Sequence, residues 1–195
     1  MTELDRCEGA LLGLACGDAV GTTLEFRSRG SFAPLTDMVG GGPFSLQAGQ
    51  WTDDTSMALC LAESLIVKQG CDVQDQMARY ANWYQWGYWS STGQCFDIGM
   101  ATRAAIQEFL RSGNALAGST DPQSAGNGSL MRLAPVALMY GADTQKVQDM
   151  AALSSRTTHA APQCLDACRL FAVALSRALA GQSKQIGRAS CRERV

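Results

Sequence analysis

Apolar residues recur at the spacing of an α-helix in one stretch after another along this chain, and they almost never alternate. Ala10, Leu11, Leu12, Leu14, Ala15 and Ala19 keep that spacing from about Leu4 until Gly17, Gly21 and the glycines beyond interrupt it, so a short helix is expected to open the chain. Met57, Ala58, Leu61, Leu65 and Ile66 follow the i, i+3, i+4 rule and stop at Gly70, which predicts a helix with Thr52 or Asp53 near its N-cap. Met77, Tyr80, Ala81 and Tyr84 form a stripe over 73–86, and the same period predicts helices over 98–110, 131–139, 144–153 and 161–180. Alternating β-branched runs are scarce, and no repeat of about 20–50 residues is present. An all-α fold follows, and 195 residues suit one domain.

Composition removes several classes of function. Sixteen basic against 18 acidic residues leave a formal charge of -2, which gives no field to hold a phosphate backbone, so nucleic acid is not expected as a partner. No apolar run is long enough to span a bilayer and the first residues lack a cationic-then-apolar leader, which predicts a cytoplasmic protein without membrane contact. The eight cysteines are scattered and read as reduced thiols. Cys164 and Cys168 lie one helical turn apart, but His159 is the only histidine and zinc needs about four ligands.

Two glycine-rich stretches, 27–50 and 112–128, are too rich in helix breakers to be regular and are expected to be long loops of the kind that carry function. Four short elements lie in or beside them. Trp51-Thr52-Asp53-Asp54-Thr55 sets two carboxylates and two hydroxyls where loop becomes helix; hard oxygen donors suit Mg²⁺, Mn²⁺ or Ca²⁺, while the same residues also make ordinary helix caps. Gly17-Asp18-Ala19-Val20-Gly21-Thr22-Thr23-Leu24-Glu25 places small residues where a backbone could approach closely and ends on a carboxylate. Gly126-Asn127-Gly128-Ser129-Leu130-Met131-Arg132 puts glycines, an amide and a hydroxyl at a predicted helix start, a geometry suited to phosphate. Thr157-Thr158-His159 precedes the last helix, where a lone histidine serves as a cap or a buried hydrogen-bonding group as readily as in a site. The aromatic cluster Trp83, Tyr84, Trp86, Tyr88 and Trp89 could stack on a base, with packing between helices the stronger expectation.

In this order, and over residues 8–181, the four elements resemble the ADP-ribosylglycohydrolase family, the group that includes the enzyme reactivating dinitrogenase reductase. Glu8-Gly-Ala-Leu-Leu-Gly-Leu-Ala-Cys-Gly-Asp-Ala-Val-Gly21 is similar to the family's opening helix and Trp51-Thr-Asp-Asp-Thr-Ser-Met-Ala-Leu59 to its metal motif. Gly126-Asn-Gly-Ser-Leu-Met-Arg-Leu-Ala-Pro135 and Ser155-Arg-Thr-Thr-His159 resemble its substrate segments. The resemblance implies a compact, orthogonal multi-helix fold with two Mg²⁺ or Mn²⁺ ions, cleaving the glycosidic bond between ADP-ribose and a protein side chain or small conjugate. It implies Thr52, Asp53 and Asp54 as metal ligands, and Glu25 as the carboxylate at the scissile bond with Asp97 as a second acid. It further implies Gly99, Gly126, Asn127, Gly128, Ser129 and His159 as substrate contacts. A monomer is the expected state. The rival reading is a non-enzymatic member that binds ADP-ribose or serves structurally, as crystallins of this kind do.

One departure stands against these matches: the family's late Gly-Asp-x-Asp-Thr motif is absent. The stretch Ile186-Gly-Arg-Ala-Ser-Cys-Arg-Glu-Arg-Val195 has no apolar period and resembles one reading frame of a sequencing adapter, a basic natural tail being the alternative. The expectation is therefore an N-terminal part of one domain over 1–185 followed by a foreign tail over 186–195. Such a chain would be inactive by itself and would leave the apolar faces of the helices at Met57–Ile66 and Ala161–Ala180 without partners.

Overall fold

The computed structural model describes residues 2–183, so the 186–195 tail lies outside the described residues. Among the described residues there are seven α-helices and no strand: α1 (Glu3–Gly21), α2 (Asp53–Lys68), α3 (Val73–Trp86), α4 (Met100–Ser112), α5 (Ala134–Tyr140), α6 (Thr144–Ser155) and α7 (Pro162–Leu179). The all-α expectation holds.

Local chemistry sets most boundaries. Thr2 and Asp5 close a capping box at the start of α1. Asp72 accepts from the backbone N–H groups of Gln74 and Asp75 to start α3, and Asp143 does the same for Gln145 and Lys146 at α6. Gly87 ends α3 in the left-handed region, where a Cβ would stand 2.1 Å from the Gly93 carbonyl oxygen.

Two boundaries differ from the periodic reading. α1 continues through Gly17 to Gly21, because one glycine costs a helix only about 1 kcal/mol and the turns on either side are good helix formers. α5 begins at Ala134, with Pro135 in its first turn, because Asn127 captures the N–H groups of Leu130 and Met131 in a turn that delays the helix.

α2 is the shared member of two cores. Its Leu61 and Leu65 join Leu133, Val136 and Tyr140 around α5, Val147 and Ala151 of α6, and Cys168 and Ala172 of α7. Its Met57 and Cys60 join Met77, Tyr80 and Trp83 of α3 and Ile106 of α4. The apolar face of α2 is thus covered, contrary to the unpartnered face expected from the sequence, and Ile66 alone of its stripe is left exposed. The aromatic cluster divides: Trp83 is buried between helices, whereas Trp86, Tyr88 and Trp89 are exposed. Tyr88 and Trp89 donate to Glu63, which also pairs with Arg79. The described cysteines are free thiols.

Because α2 fills both cores, truncating Leu61 should cost far more than truncating Ile66 one turn along. Leu61→Ala is expected to lower the unfolding free energy by about 2–5 kcal/mol. Ile66→Ala should stay within about 0.5 kcal/mol, both read by chemical denaturation. Equal losses would contradict the placement of α2.

Candidate active site

The start of α2 is held by a residue from another helix. Thr52 occupies the N-cap position but makes no side-chain capping bond to its own helix. Asp18, in the last turn of α1, takes over that role. Its Oδ1 accepts from the Thr52 hydroxyl at 2.8 Å, and both its oxygens accept the Thr52 N–H at 3.0 Å. Its Oδ2 accepts the Thr55 N–H at 3.0 Å and the Thr55 hydroxyl at 2.7 Å. A carboxylate is misplaced at the C-terminal end of its own helix and well placed at the N-terminal end of the next, so its energy comes from α2.

This contact aims the carboxylates. Asp53 and Asp54 emerge from the first turn of α2, and α1 runs on through a 3₁₀ turn (Thr22–Leu24) that delivers Glu25. Asp97 arrives from the loop before α4 with a left-handed backbone, φ 57°, a conformation that aspartate tolerates better than most side chains. Glu25, Asp53, Asp54 and Asp97 share a cleft of about 1040 Å³ with Gly99, Gly126, Asn127, Gly128 and His159. The predicted residues therefore meet, apart from two. Ser129 turns inward, its hydroxyl 2.8 Å from that of Ser155, and Thr52 lines instead an adjoining pocket with Glu25, Asp54 and Asp97, where its hydroxyl donates its hydrogen to Asp18 and keeps its lone pairs. Nor is Gly126–Ser129 a helix N-terminus: it lies in the turns ahead of α5.

In the same cleft, the loop over 126–128 packs on His159. A Cβ on Gly128 would stand 2.8 Å from His159 Cε1, so glycine is what allows the ring this close to the backbone. Ala160 donates its N–H to the Ser119 carbonyl, and Gly118 donates to that of Arg156, which pins the 112–128 loop to the strip carrying His159. By contrast, the small residues of α1 do not bring its backbone close to a neighbour, for a Cβ on Gly17 or Gly21 would meet nothing within 4 Å.

The ADP-ribosylglycohydrolase family model matches residues 1–193. The chain belongs to that family. It is 48% identical to the ADP-ribosylarginine hydrolase Tri1 of Pseudomonas putida (strain GB-1) over 93% of this chain and 49% of that protein. Identity to the Tri1 of Serratia proteamaculans (strain 568) is 44%, over 93% of this chain and 50% of that one. Against the ADP-ribosyl-[dinitrogen reductase] glycohydrolase of Rhodospirillum rubrum it is 34%, over 97% and 62%. A solved structure described as an ADP-ribosylglycohydrolase-related protein complex superposes with a TM-score of 0.86 at 42% identity, covering 98% of this chain and 62% of that one. The chain thus spans about half the length of the Tri1 relatives.

The electrostatics of this acidic cluster are one-sided. Burial pushes Asp53 up to about 8, and the carboxylates of Asp54, Asp97 and Asp18 push the same way. Burial, then Asp18, lifts Asp54 to about 6. Asp97 rises to about 7 through burial and then through the Glu25 carboxylate beside it. No guanidinium or ammonium group is among the main influences on any of the three. Buried hard-oxygen donors that lack a counter-charge fit a divalent cation. Among the described residues no three carboxylate, thiol or imidazole groups converge closely enough to enclose an ion alone.

Asp18, Arg132 and Thr158 lie inside the sequence motifs, but no role for them follows from the sequence. Asp18 carried a usable signal, an acidic residue in the last turn of a helix with no basic residue beside it.

Two outcomes follow. Asp18→Ala leaves the donors at the start of α2 unpaired and should cost about 1–3 kcal/mol in chemical denaturation, with Asp18→Asn recovering part through its one remaining acceptor oxygen. The second concerns His159, which burial and then the Arg132 charge hold down from 6.5 to about 4. Below 6.5 the unfolded chain takes up a proton that the folded ring refuses until about 4, so this contribution to stability is intact above the window and lost as the pH falls through it. The stability difference between the native chain and His159→Gln should therefore narrow across that window, and a constant difference would mean the folded ring is as basic as a free one.

Proposed function

We propose that the protein to which this chain belongs hydrolyses the N-glycosidic bond between ADP-ribose and an arginine side chain, using one or two Mg²⁺ or Mn²⁺ ions. The observation that carries this reading is a single cleft lined both by the carboxylates of Glu25, Asp53, Asp54 and Asp97 and by a glycine loop packed on His159. Two relatives named ADP-ribosylarginine hydrolases, at 44% and 48% identity, support the choice of arginine.

In this reading the loop over 126–128 and His159 hold the diphosphate, and Gly99 leaves room for the nucleotide over the start of α4. Thr52, Asp53 and Asp54 would hold the divalent cation, which supplies positive charge to orient ribose hydroxyls and a water. Asp97 and Glu25 manage the protons. Asp97 gives a proton to the departing guanidine nitrogen as the C–N bond to the ribose breaks and an oxocarbenium-like state forms. Glu25 takes a proton from the water that attacks the same carbon, so the number of protons held by the two acids is the same before and after the step. Met100 and Phe26, exposed at the mouth, leave space for a protein-borne acceptor.

In the full-length gene product, assayed on ADP-ribosylarginine, Glu25→Gln should lower kcat by about 10²–10⁴-fold with little change in KM. A rise in KM alone would reassign Glu25 to binding. Asp53→Asn should abolish stimulation by Mn²⁺ while the fold survives. The 195-residue chain alone should bind Mn²⁺ weakly in a paramagnetic resonance titration and release no ADP-ribose. Metal-dependent release by that chain would show that Thr52, Asp53 and Asp54 suffice.

A further inference from the structure

Arg132 is wholly buried, and among the described residues no carboxylate pairs with it. Its charge is met by carbonyls, hydroxyls and a ring. Nη2 donates to the Ser154 carbonyl at 3.3 Å, to Thr157 Oγ1 at 3.0 Å and to Thr158 Oγ1 at 2.7 Å. Nη1 donates to the Gly128 carbonyl at 3.4 Å and lies 3.9 Å from Met57 Sδ, the guanidinium lies 4.7 Å from the centre of the Tyr80 ring, and Nε has no partner among the described residues. A buried cation with an unmet N–H is costly, and an apolar side chain of similar size would fill the same space. What such a side chain could not do is force a neighbouring hydroxyl to accept.

That hydroxyl belongs to Thr158, and its Oγ1 is also 2.8 Å from His159 Nδ1. A guanidinium can only donate, so Oγ1 accepts from Arg132 and keeps one hydrogen of its own. No other acceptor bonds Oγ1 among the described residues, so that hydrogen points to Nδ1. Nδ1 is then an acceptor, and the single proton of the neutral ring sits on Nε2. On the opposite edge of the ring Nε2 has no protein partner among the described residues, and it lies beside the backbone of Gly126 and Gly128 at the cleft. The reverse tautomer would aim Nδ1–H and an Arg132 N–H at one oxygen and strand the hydroxyl hydrogen without an acceptor.

We propose that Arg132, acting through the Thr158 hydroxyl, is a positioning residue that fixes His159 as the Nε2–H tautomer, so that the ring offers the cleft one permanent donor and never an acceptor. A donor with that fixed polarity selects an oxygen anion over a donor group of similar size. That the anion is a diphosphate rests on the functional reading above; the tautomer does not. The depressed basicity of the ring agrees with it, since a second ring proton would also have to face the Arg132 charge.

The chain contains one histidine, so ¹⁵N-histidine labelling of the 195-residue protein yields the spectrum of this ring alone. Free wild-type protein should show a pyridine-type Nδ1 and a pyrrole-type Nε2. Thr158→Ser should retain that pattern. Thr158→Val, nearly equal in volume, should lower the ratio of Nε2–H to Nδ1–H by about fivefold, the worth of one ordinary hydrogen bond. Arg132→Met should lower it as well; if that variant fails to fold, Arg132→Lys, whose head group also only donates, should keep the wild-type pattern. A pyrrole-type Nδ1 in the wild type, an unchanged ratio in Thr158→Val or a reversed pattern in Arg132→Lys would overturn the proposal. Added ADP-ribose should move Nε2 more than Nδ1. A wild-type tautomer pattern that ADP-ribose leaves unmoved would count against the diphosphate reading and leave the tautomer assignment standing.

Discussion

The bonds from Asp18 to the start of α2 are the constraint on which the rest of the structure depends. α2 is the helix common to both cores, and its first turn carries the carboxylates of the cleft. The donors at a helix start need an acceptor, and when Thr52 turns its hydroxyl away from its own helix the need passes to Asp18. One side chain thereby joins α1 to α2, fixes the direction of Asp53 and Asp54, and leaves α1 free to run on to Glu25. Hydrogen bonds to both Thr52 and Thr55 tie the first turn of α2 to α1 at two points.

The cleft keeps its two kinds of charge apart. On one wall, buried carboxylates raise one another's proton affinity with no basic residue among the strongest influences. Behind His159, Arg132 is buried with no acid paired to it among the described residues. Bringing the two together would satisfy both and destroy the site. Their separation costs stability, and the fold meets that cost through the α2 cores and through the network of Ser154, Thr157 and Thr158 around the guanidinium. A ligand with hydroxyls at one end and anionic oxygens at the other would answer both walls, which is the chemistry of ADP-ribose.

The helices were legible in the sequence because each buries a stripe, and a stripe leaves a period. The residues around Thr52, Glu25 and His159 were legible as motifs, and the structure gathers most of them around one cleft. What could not be read is whatever depends on a partner distant in the chain. The role of Asp18 requires a bond across 34 residues. Ser129 turns inward because Ser155 and Cys168 wait beneath it on other helices. The division of the aromatic cluster follows from Glu63, a residue of α2, offering an acceptor to Tyr88 and Trp89. Propensity misplaced the start of α5 because the side of a turn that Asn127 occupies leaves no periodic trace. Nothing in the pattern of residues alone distinguishes a histidine that caps a helix from one that donates into a cleft.

The central claim is that the acidic wall is a cation site organised by the start of α2. Crystals of the full-length protein soaked with Mn²⁺ and ADP-ribose, measured at the manganese absorption edge, test it most directly. The account predicts an anomalous peak bounded by Thr52, Asp53 and Asp54, with the diphosphate over residues 126–128 and His159. A fully occupied manganese peak elsewhere in the molecule, or ADP-ribose bound in the cleft with no peak at α2, would contradict it.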